Sequence, residues 1–190
     1  MPRPPDLPWL IIVTGPPGAG KTSLGKLLAQ EFSIPLIYKD GFKEILFDVL
    51  GWQDRPWSRQ LGRASIAILF HVAETLLKAG QSLVVESNFE ASLAAPAFID
   101  LKTRYHANTL VILCLAARDV LVQRYQARAE SSARHPGHND QSLYPELSAA
   151  NLGRERYFMD LGGALIEVDT SDFAQVDYNK MIEIIRDYIT

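Results

Sequence analysis

The chain has 190 residues, 47% of them apolar and 22% charged, with one cysteine and a formal net charge of -3. Those values fit one globular domain able to bury roughly 70% of its unfolded surface, and they exclude a disordered chain, a collagen-like fibre and a disulfide scaffold. The longest apolar runs, Trp9–Val13 and Val111–Ala117, fall far short of the roughly 20 residues of a spanning helix. No basic excess of the kind shown by duplex-binding proteins is present. Met1–Pro8 lacks the apolar segment of a signal peptide, so a cytoplasmic location is the default expectation.

Taken in chain order, the pattern predicts a strand at Trp9–Thr14 and a helix at Lys21–Glu31, where Leu24, Leu27, Leu28 and Phe32 recur at helical spacing. A second strand is expected at Ile34–Tyr38 and a helix at Gly41–Leu50, followed by the polar stretch Gly51–Arg59. Leu61–Ala79 is helical by its Ile66, Leu69, Phe70, Ala73, Leu76 and Leu77 periodicity, and Gly80 fits its stop position. Strands at Ser82–Glu86, Thr109–Leu115 and Ala164–Val168 alternate with helices at Ala91–Tyr105, Arg118–Ala133 and Asp177–Ile189. A second polar stretch covers Ser131–Leu147.

Most of the strands are continuous apolar runs, the pattern of strands covered on both faces. Their alternation with helices predicts a parallel five-stranded sheet with right-handed crossovers, an α/β sandwich of three layers. No composition break divides residues 1–190, so a single domain is expected. In such sheets the ligand sits beyond the carboxyl ends of the strands.

The first of those ends carries Gly15-Pro16-Pro17-Gly18-Ala19-Gly20-Lys21-Thr22, which satisfies G-x-x-x-x-G-K-[ST] with strand before and helix after. Backbone N–H groups of such a turn converge on an anion at a helix N-terminus. Lys21 adds a fixed charge at the β- and γ-phosphates, and Thr22 can present its hydroxyl to Mg²⁺, with Ser23 beside it. The glycines allow close backbone approach. Nucleoside triphosphate binding is the firmest reading, with ATP and Mg²⁺ as the expected cofactors.

Glu86 ends the third strand, where a carboxylate can hold Mg²⁺ or polarise an attacking group, and such a charge after an apolar run needs a partner. Arg124 and Arg128 share one helix face. Residues 118–138 carry four arginines against Asp119 and Glu130, whereas residues 164–190 are strongly acidic, so the positive charge concentrates where phosphates would lie.

Five segments together resemble the small P-loop kinases of the AAA-type group, related to chloramphenicol phosphotransferase, zeta toxin and polynucleotide kinase domains. They are Gly15–Thr22, Tyr38–Glu44, Val84–Phe89, Arg124 through His138, and Val168–Ser171. The resemblance implies a nucleotide-kinase-like P-loop fold with a short lid at 131–147 and a substrate cap at 51–60. It implies Asp40 as the group that accepts or orients the attacking hydroxyl, although base, metal contact and helix cap all remain open. Lys39 reads as a solvated strand-end charge. Arg128 and Arg134 would close over the phosphates, Arg124 and Thr170 would lie near the nucleotide, and Arg55, Arg59, Glu86 and Asn88 would meet the acceptor.

The activity so implied is ATP-dependent phosphoryl transfer to a hydroxyl of a small molecule or nucleoside. A kinase of polynucleotide ends, for which Trp52, Arg55, Trp57 and Arg59 are the stacking and basic candidates, and a nucleotide-gated switch are the alternatives. Nucleic acid is not the favoured partner, no membrane partner is expected, and the oligomeric state is open.

Overall fold

The computed structural model describes residues 7–132, 134–140 and 151–189. Five strands, β1 (Trp9–Thr14), β2 (Leu36–Tyr38), β3 (Leu83–Glu86), β4 (Asn108–Leu115) and β5 (Ala164–Asp169), form one parallel sheet in the order β2-β3-β1-β4-β5. The helices are α1 (Lys21–Glu31), α2 (Lys39–Leu50), α3 (Arg55–Lys78), α4 (Ala91–Tyr105), α5 (Arg118–Glu130), α6 (Arg154–Tyr157) and α7 (Tyr178–Ile189).

Strand alternation explains the two-sided core. Leu10 and Ile12 of β1 face Leu69, Ala73 and Leu77 of α3 and Phe98 of α4. Ile11 and Val13 face Leu24 and Leu28 of α1, Leu121 of α5 and Ile185 of α7. All four β1 side chains are fully buried, and each such apolar side chain contributes about 1.5–3 kcal/mol relative to exposure. The continuous apolar runs therefore mark strands sandwiched between helices, the three-layer P-loop architecture. Among the described residues no helix is long and apolar enough to cross a membrane.

Helix α5 ends at Glu130, short of the expected Ala133, and three other boundaries that differ from the sequence reading bear on the site. Helix α2 starts at Lys39, two residues before the expected Gly41, with Tyr38 as an extended N-cap whose side chain makes no capping hydrogen bond. Asp40 thus sits in the first turn, where a negative charge suits the positive helix end, and does not act as the cap. Helix α3 begins at Arg55, because the Asp54 carboxylate accepts from Trp57 N–H at 2.9 Å and Pro56 tolerates a first-turn position. Much of the expected polar cap at 51–60 is consequently helix. Strand β2 loses Ile34 and Pro35, since Pro35 can only accept, from Val84 N–H at 2.8 Å. The C-terminus of α3 follows the expectation, with Gly80 at φ +72 and Gln81 N–H returning to Leu76 C=O.

Candidate active site

The register of the sheet brings separate segments to one edge. Tyr38, Glu86 and Val13 stand abreast on β2, β3 and β1. The segments that follow them, the start of α2, the Ser87-Asn88 loop and the glycine-rich turn, therefore meet at the carboxyl end of the sheet. The resulting cavity is lined by Pro17, Lys21, Thr22, Asp40, Arg55, Glu86, Asn88, Arg128 and Arg134, together with Lys39, Lys43, Ser87, Tyr125, His138 and Asp140.

The turn from β1 into α1 is sterically closed to other residues. Gly15 has φ +138, and a Cβ there would lie 2.1 Å from the Cys114 carbonyl oxygen. At Gly20, φ is +75 and a Cβ would strike the Phe173 ring at 2.5 Å. Lys21 is buried, and its Nζ donates to the Pro16 carbonyl at 2.8 Å. Burial lowers the Lys21 pKa, with Glu86 opposing the shift. Thr22 Oγ1 donates to Glu86 Oε2 at 2.7 Å, tying the loop to the end of β3. Burial raises the Glu86 pKa against the pull of Lys21 and of the Thr22 hydroxyl. Ser23 is exposed on α1.

A chain of ionic bonds crosses the cavity. Arg134 Nη1 lies 2.9 Å from Asp40 Oδ2, and Arg134 Nε lies 2.8 Å from Asp140 Oδ2. Tyr125 donates to Asp140 Oδ1 at 2.9 Å, and Arg128 Nη2 approaches Asp140 Oδ2 at 3.5 Å. Burial opposes ionisation of Asp40, but Arg134, His138 and Lys39 override it and hold the carboxyl well below the usual carboxylate range. Asp140 is held low in the same sense, burial being outweighed by Arg134 and Arg128.

The described part of the expected lid packs onto α2. Phe47 stacks on His135 at 5.1 Å and meets His138 edge-on at 5.3 Å, and Gly137 lies so close that a Cβ would enter the Phe47 ring. His138 is buried against Glu44 at 2.9 Å, its pKa lowered by burial although Asp40 opposes this. Residues 141–147 of the expected lid lie outside the described residues.

Other sequence candidates take different places. Arg124 donates to the Thr170 and Ser171 carbonyls and lies 3.7 Å over the Phe173 ring, on the β4–β5 side. Thr170 is buried and its hydroxyl bonds Ala19 C=O and Leu115 C=O, bracing the glycine-rich turn from behind. Arg59 is exposed on α3 and does not line the cavity, because only the first turn of that helix reaches it. Trp57 is spent locally, its indole N–H donating to Gly51 C=O. Lys39 is no solvated strand-end charge; it lines the cavity from the start of α2.

The residues fit a nucleoside triphosphate and Mg²⁺. Lys21 from the glycine-rich turn, Arg128 from α5 and Arg134 beyond it bring positive charge to the cavity where phosphates would lie. Arg128 Nε is buried with no hydrogen-bond partner among the described residues, a cost that an anionic ligand would remove. The hard oxygen donors Thr22 and Glu86 suit a small divalent cation.

A match to the family described as AAA domain runs over residues 10–144. The chain belongs to that family. A solved structure of a candidate kinase from Chloroflexus aurantiacus resembles this AAA-domain protein with a TM-score of 0.85 and 41% identity, covering 96% of this chain and 99% of the other. Shikimate kinase 2 of Photorhabdus laumondii is 23% identical over 178 residues, 91% of this chain and 94% of its own length. Shikimate kinase of Pseudomonas syringae pv. tomato is 34% identical over 95 residues, 45% of this chain and 52% of its own. The solved shikimate kinase of Bacteroides thetaiotaomicron, at 21% identity, covers 93% of this chain and 98% of its own with a TM-score of 0.52, a likeness of fold. The expected likeness to the small AAA-type P-loop kinases thus holds for family and for fold.

Proposed function

We propose that this AAA-domain protein is an ATP-dependent phosphotransferase that moves the γ-phosphoryl group of ATP to a hydroxyl of a small molecule or nucleoside. The observation that carries the reading is one cavity in which a P-loop lysine, a strand-end glutamate and an acid on α2 face each other beneath two arginines of the α5 and 134–140 region. Kinase names among its relatives support the same class of activity.

In this reading the glycine-rich turn and Lys21 bind the phosphates. Thr22 and Glu86 would hold Mg²⁺, which when bound neutralises charge on the phosphate oxygens. Asp40 orients the acceptor hydroxyl and receives its proton. A carboxylate held so firmly ionised is a weak base, which suits a loose transition state in which the nucleophile needs positioning more than early deprotonation. Arg128 and Arg134 stabilise charge on the moving phosphoryl group. Arg134 already spans the gap between Asp40 and Asp140, so it reaches the acceptor side without a large displacement.

ATP consumption screened over nucleosides, sugars, phenolic alcohols and short oligonucleotides tests the reading. Lys21→Ala is expected to abolish turnover of any acceptor found, and Asp40→Asn to keep nucleotide binding while losing at least roughly a hundredfold in kcat. Full turnover by Asp40→Asn at saturating acceptor removes Asp40 from the chemistry.

A further inference from the structure

Lys43 is a buried ammonium with no carboxylate counterion among the described residues. It sits in the middle of α2 with 6% of its surface exposed. Its Nζ donates to the Ser58 hydroxyl at 2.9 Å and lies 5.1 Å from the Phe47 ring centroid. The nearest acids on its own helix are engaged elsewhere, Asp40 with Arg134 and Glu44 with His138. Among the described residues no carboxylate forms an ion pair with Lys43. Burying such a charge unpaired is costly, and folded proteins avoid it by pairing or by binding an anion.

The neighbourhood is built to hold this lysine and to add a second one. Gly62 on α3 has no side chain, and its missing Cβ would lie 3.8 Å from both Lys39 Cε and Lys43 Cε. Both lysine tails therefore converge on one bare spot of α3, one turn beyond Ser58. Lys39, Lys43 and Arg55 line the same wall of the cavity. That wall comes from α2 and α3, between β2 and β3, whereas the triphosphate machinery comes from the glycine-rich turn and α5. The α2–α3 cations are thus surplus to what the nucleotide needs.

We infer that the acceptor is an alcohol carrying an anionic group, a carboxylate or a phosphate, that seats on Lys43 and Lys39 at the α2–α3 wall while its hydroxyl faces Asp40. The inference rests on the phosphotransferase reading for the word acceptor, and on the lysine geometry for the anion. The electrostatics agree. Burial, Lys39, Arg55 and Arg134 lower the Lys43 pKa to about 8 despite Asp40, so an incoming anion is met by an ammonium that gains from being paired.

The test fills the P-loop first. With Mg²⁺ and a non-hydrolysable ATP analogue present, the protein is titrated with inorganic phosphate and, separately, with malonate. Binding is followed by thermal shift and by the NMR signal of ¹³Cε-labelled lysine, assigned through Lys43→Met. Saturable binding of either anion is expected, with the Lys43 pKa rising on binding and the affinity falling roughly tenfold or more in Lys43→Met, the worth of one charge-assisted hydrogen bond. Preference for phosphate or for malonate identifies which anionic group the site reads. Lys43→Met removes an unpaired buried charge and should fold at least as well as the parent; if it does not, Lys39→Met carries the same comparison. The proposal is overturned if neither anion binds saturably in the millimolar range with the P-loop filled, or if both variants bind as tightly as the parent. Anion binding without phosphoryl transfer to any alcohol refutes the phosphotransferase reading and leaves the anion site standing. Transfer to neutral alcohols with a Lys43→Met rate equal to the parent's does the reverse.

Discussion

Arg134→Met isolates the ionic chain that crosses the cavity. Methionine keeps most of the length and apolar stem of arginine but leaves Asp140, 6% exposed, without its closest cation. Stranding a buried charge in this way costs about 3–5 kcal/mol when nothing replaces the partner. Here Tyr125 still donates at 2.9 Å and Arg128 remains at 3.5 Å, so the expected loss is nearer about 2–3 kcal/mol. For a chain of this size that corresponds to a melting temperature lower by roughly 5–10 °C. A double-mutant cycle with Asp140→Asn sharpens the test. Asparagine can still accept from Tyr125 but carries no charge, so Arg134→Met should cost much less in that background, and the coupling should exceed about 1 kcal/mol. Acid should also narrow the gap between Arg134→Met and the parent. Asp140 is depressed in the parent, so its contribution is complete above the unfolded carboxylate pKa near 4 and disappears as pH falls through the lower folded value. Guanidinium titrations at pH 7 and pH 3 measure both effects. Additive losses within about 0.5 kcal/mol, or a gap that widens in acid, would refute the assignment of Asp140 as the buried partner of Arg134.

Three further outcomes are expected. Gly15→Ala should cost upwards of about 4 kcal/mol, because its Cβ collides with backbone at 2.1 Å, whereas Gly51→Ala, at φ +78 with open space around it, should cost only about 1–2 kcal/mol; chemical denaturation ranks them, and equal losses would contradict the closeness of the P-loop to β4. Lys43→Met should stabilise the protein at pH 7, and its advantage should shrink as pH rises from 8 to 10.5, by about 3 kcal/mol at most, because the unfolded lysine binds more protons across that window and only the parent gains stability there; melts across the range check the sign. Glu86→Gln, which still accepts from Thr22, should raise the Mg²⁺ needed for half-maximal turnover roughly tenfold or more, and an unchanged Mg²⁺ dependence would remove Glu86 from the metal site.

The fold was legible because its signals are local and repeated. Apolar runs buried on both faces, helical periodicity and the Gly-x-x-x-x-Gly-Lys-Thr turn each state their own structure within a dozen residues. The start of α3 was equally present in the sequence, as Asp54 followed by Pro56, but the surrounding polar residues read as loop. The site was legible from position where a residue borders a strand end, while Arg55, Arg128 and Arg134, which also line the cavity, were expected through the family resemblance. Lys21, Thr22 and Glu86 follow from position, since strand ends define the ligand edge. Asp140 and Lys43 do not, because their significance lies in what surrounds them. An aspartate in a polar stretch looks solvated until Tyr125 and Arg134 close on it, and a lysine in an amphipathic helix looks exposed until Ser58 and Gly62 of a helix twelve or more residues away are found beneath it. Phe173 has no local signal at all, its role arising from the approach of the β5 loop to Gly20 and Arg124.

The position of β1 has one more consequence. As the middle strand it carries the glycine-rich turn, with β3 and β2 on one flank and β4 and β5 on the other. Everything that braces the turn from behind, Cys114, Thr170 and Arg124, belongs to the β4–β5 flank. Everything proposed to meet the acceptor, apart from the Arg128 and Arg134 bridge, belongs to α2, α3 and the end of β3. The partition also runs partly along the sequence, since α2 and α3 form one contiguous stretch, residues 39–78, with the end of β3 following it. Under the proposed reading, replacing residues 39–78 with the equivalent stretch of a relative is expected to change acceptor choice while the glycine-rich turn keeps its β4–β5 bracing.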